Sequence, residues 1–185
     1  MGESALKQAT YEDLLAVPGH WVAEILGGEL HAHPRPAPKH ANVSSVLGGK
    51  FSDPFHLGNG GPGGWWILDE PELHLHGDIM VPDLAGWRRE RMPRLPNTAW
   101  FERVPDWVCE VLSPSTARDD RVLKMPRYAR YGVTNFWLID PELQTLEVYA
   151  ISDGRWSLLA TLKDDDKVRL APFDAIEFSL GDLWG

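Results

Sequence analysis

The sequence predicts a mixed α/β (α+β) fold, a mixed β-sheet flanked by helices, and three observations carry that expectation. Short apolar runs rich in Val, Ile, Leu and Trp recur along the chain at strand length. One stretch with helical patterning, 117–131, stands between two groups of such runs. No internal repeat and no linker-like composition divides the 185 residues, so a single domain over 1–185 is expected.

Taken in order, Thr10 followed by Glu12 and Asp13 reads as a helix start with an acidic first turn, and Pro18 closes that short helix. Residues 21–26 (WVAEIL) and 29–33 (ELHAH) flank Gly27-Gly28, which predicts an N-terminal β-hairpin. Prolines break up PRPAPKH. From His40, residues Val43, Val46 and Leu47 recur at helical spacing until the pattern fades towards Pro54. GNGGPGG then reads as a flexible loop. Strand-like runs follow at 65–68, 72–76 and 79–86, and 87–97 is a basic, proline-containing loop. Residues 106–112 (DWVCEVL) form a further strand, and SPST opens the helix over 117–131. Strands at 135–140, 145–151 and 155–162 come next, the last two joined by an Asp153-Gly154 turn. LKDDDK reads as a solvated turn, and 173–184 as a strand and a helical turn. The sum is one mixed sheet with helices packed on it.

Composition narrows the setting. No apolar run approaches the roughly 20 residues of a membrane span. The polar start MGESALKQATYEDLL lacks the basic-then-apolar order of an export signal, and Met1-Gly2 lacks the partner signal a lipid anchor needs. A single cysteine, Cys109, excludes an internal disulfide and any multi-cysteine zinc site. A cytoplasmic protein is expected. The net charge of −9 argues against a general nucleic-acid coating protein, but not against an enzyme that meets phosphates through metal ions. The nine tryptophans fall mostly in strand-like runs, which favours core packing over base stacking.

Two segments carry candidate chemistry. Asp83 lies in MVPDLAG (80–86) and Glu110 in DWVCEVLSPST (106–116), each an acid in apolar surroundings. A buried carboxylate costs several kcal/mol unless a partner, a metal or a proton offsets it. Two of them on neighbouring strands repel unless a cation intervenes, and oxygen ligands suit Mg²⁺ or Mn²⁺. Such a metal polarises phosphoryl oxygens and acidifies water, and a nearby lysine stabilises developing charge. Lys124, on the helix after the Glu110 strand, is the candidate lysine, with Arg121 and Arg127 as its neighbours on the helix. On these grounds alone the metal site and a plain salt-bridge role weigh evenly. Relief of repulsion predicts that Asp83→Asn leaves the metal-free protein equally stable or more so.

Other features have simpler readings. His74, His76 and Asp78, and likewise His31 and His33, suit solvent-facing strands better than metal pairs. Ser113 and Ser115 suit helix capping better than nucleophilic catalysis. RRERMPR (88–94) reads as a mobile charged loop before it reads as a phosphate contact.

The Pro82-Asp83 pair, PDWVCEVLSPST at 105–116, DDRVLKMPRYARYGVTNFWLIDP at 119–141, WVAEILGGEL and the PRPAPKH loop together resemble the Uma-type restriction endonuclease family, part of the PD-(D/E)xK-like nuclease superfamily. The resemblance implies a restriction-endonuclease-like core and a two-carboxylate metal site acting on DNA. It matches Asp83 to the aspartate of the Pro-Asp motif, Glu110 to the second acid, Glu24 to a glutamate of the first hairpin and His40 to a histidine opening the next helix. The superfamily's usual lysine would stand at Leu112, and the Uma-type pattern points instead to Lys124. Many nucleases of this fold pair up to cut two strands, so the resemblance leaves a homodimer open. The rival from another class is a non-catalytic binding or scaffold protein that keeps the fold, and the charge of −9 favours it.

Overall fold

The computed structural model describes residues 8–185, and the Met1-Gly2 start lies outside the described residues. A reciprocal Thr10–Asp13 capping box opens α1 (Tyr11–Leu15). The chain then forms the hairpin β1 (Trp21–Leu26) and β2 (Glu29–Pro34), turning at Gly27 and Gly28 with φ of 64° and 84°. Positive φ at both turn residues is what a two-residue hairpin demands, and glycine supplies it without strain. Helix α2 (Pro38–Phe51) follows and continues as a π-helical segment, Ser52–Leu57. After it come β3 (Trp65–Asp69), β4 (Leu73–Leu75), β5 (Asp78–Met80), β6 (Leu84–Arg88) and β7 (Trp107–Val111). A composite helix, α3 (Ala117–Asp119), a π-helical turn (Asp120–Lys124) and α4 (Met125–Tyr131), leads to β8 (Asn135–Asp140), β9 (Thr145–Ser152) and β10 (Arg155–Lys163). The chain ends with the ribbon strands β11 (Lys167–Val168) and β12 (Phe178–Ser179) and a 3₁₀ turn, Leu180–Leu183.

The main sheet has six strands in the order β10-β9-β8-β7-β6-β3, and a second sheet has four in the order β2-β1-β5-β4. In the main sheet β7 and β8 are parallel and every other pairing is antiparallel. Parallel neighbours need a crossover, which α3 to α4 supplies, and this lays the helix over one face of β7. Side chains alternate along β7. Trp107, Cys109 and Val111 enter one core with Val43, Leu47 and Phe51 of α2. Val108 and Leu112 enter another with Tyr128 of α4 and Leu73, Leu75 and Met80 of the small sheet. Glu110 shares that second face. The tryptophan reading holds for Trp65, Trp87, Trp107 and Trp137, which are buried, while Trp21 stands exposed.

Three expectations are corrected. The strands do not form one sheet, because 79–86 is not one strand: β5 ends at Met80, and β6 starts at Leu84 in the other sheet. Pro82 has no N–H for a ladder, and Val81 N–H donates to Glu24 Oε1 (2.7 Å) instead of to a strand. Asp83 therefore stands at the point where the chain changes sheets, not inside a strand. The helix from His40 begins at Pro38, where a first-turn proline is tolerated, and runs through Pro54 by widening to π-helical pitch before Gly58 ends it at φ 81°. Among the described residues no helix is long and apolar enough to cross a membrane.

Candidate active site

The five residues singled out in sequence converge on one small cavity of about 30 Å³. His40, Asp83, Glu110 and Lys124 line it, and Glu24 sits behind Lys124. Each arrives from a different element. β7 presents Glu110 on the face that the crossover helix covers. The π-helical turn carries Lys124 inward, with its Nζ 2.9 Å from Glu110 Oε1 and 2.9 Å from Glu24 Oε1. Those distances lie well inside the about 6 Å over which opposite charges perturb each other. The remaining ammonium proton goes to Val81 O at 3.2 Å. Arg121 and Arg127 turn elsewhere, to Glu147 and Asp78. Asp83 accepts from Val111 N–H through Oδ2 (2.6 Å), and its Oδ1 lies 3.1 Å from His40 Nε2 at the start of α2. Cys109, one residue from Glu110, is buried on the opposite sheet face.

The site's charge is lopsided. Burial alone would raise Glu24, but Lys124, His33 and the Val81 N–H together hold it down at about 2. Burial raises Glu110 well above the usual carboxylate range, Lys124 offsets this only in part, and Asp120, Asp83 and Glu24 add to the rise. Lys124 would lose its proton more easily on burial, yet Glu110 and Glu24 keep it firmly charged. His40 is likewise lowered by burial, and Asp83, with Asp120 and the Val111 backbone, more than restores it. Glu110 Oε1 also accepts from the Tyr128 hydroxyl at 2.6 Å.

Several participants are missing from the sequence reading. Asp120 lines the cavity 3.6 Å from Lys124, and its Oδ2 is buried without a hydrogen-bond partner. Its i, i+4 spacing from Lys124 is a signal that could have found it. His33 leaves the solvent role expected of its pair and stands 3.8 Å from Glu24 Oε2. The hairpin register, Val22 opposite His33 and Glu24 opposite His31, already puts these two on one face. His74 stays outside the site, bonded to Glu72 and stacked on Trp100 at 4.7 Å. Of the basic loop, Arg91 is tied to Asp106 and Arg89 to Trp65 O and His56 O, so both have structural work. Asp78 is the hidden organiser: it accepts from Gly27 N–H (2.7 Å), from Arg127 (2.8 Å) and from the Tyr131 hydroxyl, and so locks the first hairpin to α4.

These residues fit an oxygen-liganded divalent cation. Four carboxyl groups (Glu24, Asp83, Glu110, Asp120) gather around Lys124 and His40, and one buried carboxyl oxygen has no partner. Among the described residues no group of three or more His, Cys, Asp or Glu side chains is disposed to hold a metal. A site built on Asp83 and Glu110 alone would be completed by water, which is how Mg²⁺ is commonly held.

The unmet charge has a measurable consequence, and the geometry moves it from Asp83 to Asp120. Asp83 is anchored by Val111 and His40, so its removal costs contacts. Asp120 is raised by burial from 3.8 to about 6 despite Lys124 and a Thr116 hydrogen bond. A carboxyl raised on folding carries no penalty below its unfolded value and the full penalty above its folded value, so stability is lost as pH climbs from about 4 to about 6. That shift corresponds to about 3 kcal/mol at neutral pH. Denaturant unfolding with chelator present should find Asp120→Asn more stable than wild type at pH 7.5 and equal to it near pH 4. A variant less stable at pH 7.5 would mean that Asp120 is a structural partner of Lys124.

Comparison with known proteins agrees with the fold. No curated protein matches. One solved structure that does, described as a "putative nuclease belonging to DUF820 from Anabaena variabilis", superposes with a TM-score of 0.76 at 23% identity, over 95% of this chain and 97% of the other. The mixed α+β fold is thereby shared with that structure over nearly the whole of both chains. The profile of the Uma2 family, described as "Putative restriction endonuclease", matches residues 9–181. With nearly the whole chain matched, the protein belongs to the Uma2 family.

Proposed function

We propose that the protein is a Mg²⁺-dependent endonuclease (Mn²⁺ substituting) that hydrolyses DNA phosphodiester bonds. The observation that carries this reading is the ammonium of Lys124 2.9 Å from Glu110 in a cavity that Asp83 also lines. A divalent cation on Asp83 and Glu110 would supply Lewis-acid polarisation of a phosphoryl oxygen and a more acidic water. Lys124 stabilises the charge that develops on the phosphate. Its N–H bonds are taken by Glu24, Glu110 and Val81 O, so it meets substrate only by releasing one of them. Glu110 is the partner to release, since a divalent cation bound there would take over its charge. Glu24, held ionised at about 2, keeps Lys124 charged and in place through the exchange. His40 fixes Asp83 and brings a positive charge towards the incoming phosphate.

The scaffold reading draws on the net charge of −9 and on the full occupancy of Lys124 by protein acceptors. A panel of plasmid, linear duplex and single-stranded DNA and of RNA, incubated with Mg²⁺, Mn²⁺ or chelator, separates the two. The nuclease reading expects metal-dependent cleavage of DNA. Intact substrates throughout, with folded protein, favour the scaffold.

A further inference from the structure

Two open grooves flank the catalytic cavity, and a single ion pair stands between them. The first, of about 400 Å³, is lined by Arg35, His40, Ser44, Asp69, Glu70 and Asp83. The second, of about 430 Å³, is lined by Arg35 and Glu70 together with Trp21, Val22 and Leu15. Glu70 also lines the inner cavity. Arg35 Nη1 lies 2.9 Å from Glu70 Oε2, and both side chains are substantially exposed, 55% and 40%. The pair therefore forms a crossbar shared by both grooves, the first of which Asp83 and His40 also line.

Both ends of the crossbar are held by backbone. Arg35 lies between Pro34 and Pro36 in the PRPAP segment, where fixed proline φ angles stiffen the connection from β2 to α2. Glu70 follows β3 at φ 43°, a left-handed position uncommon for glutamate, and its N–H donates to Asp83 O at 3.1 Å. The position of Glu70 is thus tied to the residue proposed as a metal ligand. Charge makes the arrangement informative. The three spaces share Glu70 and are lined besides by the acids Asp83, Glu110, Asp120, Asp69 and Glu72, and their lysines and arginines are Lys124 and Arg35. Lys124 is buried, so Arg35 is the cation an incoming polyanion meets first.

The geometry points to Arg35 as the substrate clamp of this site, a residue that exchanges Glu70 for a backbone phosphate next to the scissile one. Glu70 is its placeholder, occupying the guanidinium when no nucleic acid is bound and repelling phosphate until the exchange occurs. Guanidinium binds carboxylate and phosphate in the same forked geometry, so the exchange swaps like for like. This inference rests on the nuclease reading and adds which residue holds the strand.

The test separates binding from chemistry. Anisotropy of a labelled mixed-sequence DNA duplex in chelator reads binding across a salt series, and Mn²⁺ assays read KM and kcat. An exposed ion pair adds little to stability, so both variants should fold normally, which melting checks. Arg35→Ala should weaken binding about tenfold, raise KM far more than it lowers kcat, and reduce the slope of log K against log salt by about one. Glu70→Gln should tighten binding several-fold, and that gain should vanish in the Arg35→Ala background. If wild type cleaves DNA but Arg35→Ala keeps its KM and salt slope, the clamp is overturned and the nuclease reading stands. If neither wild type nor Glu70→Gln binds or cleaves any nucleic acid, both are overturned together.

Discussion

Lys124→Ala is expected to lose at least about a thousandfold in cleavage, the scale seen when a charge-stabilising donor is removed from an active site. The same change should destabilise the fold. Lys124 is buried against Glu24 and Glu110, and removing one partner of a buried pair leaves uncompensated charge, typically at about 3–5 kcal/mol. Protonation of Glu110 softens that cost, since burial already raises it. Lys124→Met keeps the stem's apolar volume while deleting the charge, and so separates catalysis from packing. Both variants should still bind Mn²⁺, because loss of a cation only makes the cavity more negative. Circular dichroism, calorimetry with Mn²⁺ and single-turnover cleavage read the three effects. Normal cleavage by folded Lys124→Met would remove the lysine from the mechanism.

Glu110→Gln is expected to have a comparable effect on metal. The amide can still accept the Tyr128 hydroxyl, so the local packing survives while the negative charge is lost. Mn²⁺ affinity should fall by about 10- to 100-fold or more. Because Glu110 is raised well above the ordinary range without metal, wild-type Mn²⁺ binding should also release protons and strengthen as pH rises. Calorimetry in buffers of different ionisation enthalpy should show that release in wild type and its loss in Glu110→Gln. Equal affinity and equal proton release in both would place the metal elsewhere or nowhere.

What sequence alone made legible follows from which interactions are local. The first hairpin was readable because Gly27-Gly28 dictates its turn, and the Asp153-Gly154 hairpin for the same reason. Glu110 stood out because an acid flanked by Cys109 and Val111 is costly unless it is used. Its approach to Lys124 could be anticipated because a helix following a strand at a crossover must fold back over the sheet. The split into two sheets was not legible, since the chain's change of sheet at Val81–Asp83 depends on Glu24, more than fifty residues away, capturing the Val81 N–H. Asp120 and His33 carry local signals, the i, i+4 spacing from Lys124 and the hairpin register beside Glu24, but their importance comes from burial beside other charges, which those signals do not record. Glu70 was missed for a similar reason, since its partner Arg35 is distant in sequence and near only in the fold.

The central claim is that Asp83 and Glu110 hold the metal by which this cavity cuts DNA. Cleavage of supercoiled plasmid in Mn²⁺ by wild type and by Asp83→Ala, with both shown to be folded, tests it most directly. The account predicts nicking and linearisation by wild type, suppression by chelator, and no cleavage above background by Asp83→Ala. Plasmid cut equally fast by Asp83→Ala, or by wild type in chelator, would contradict it.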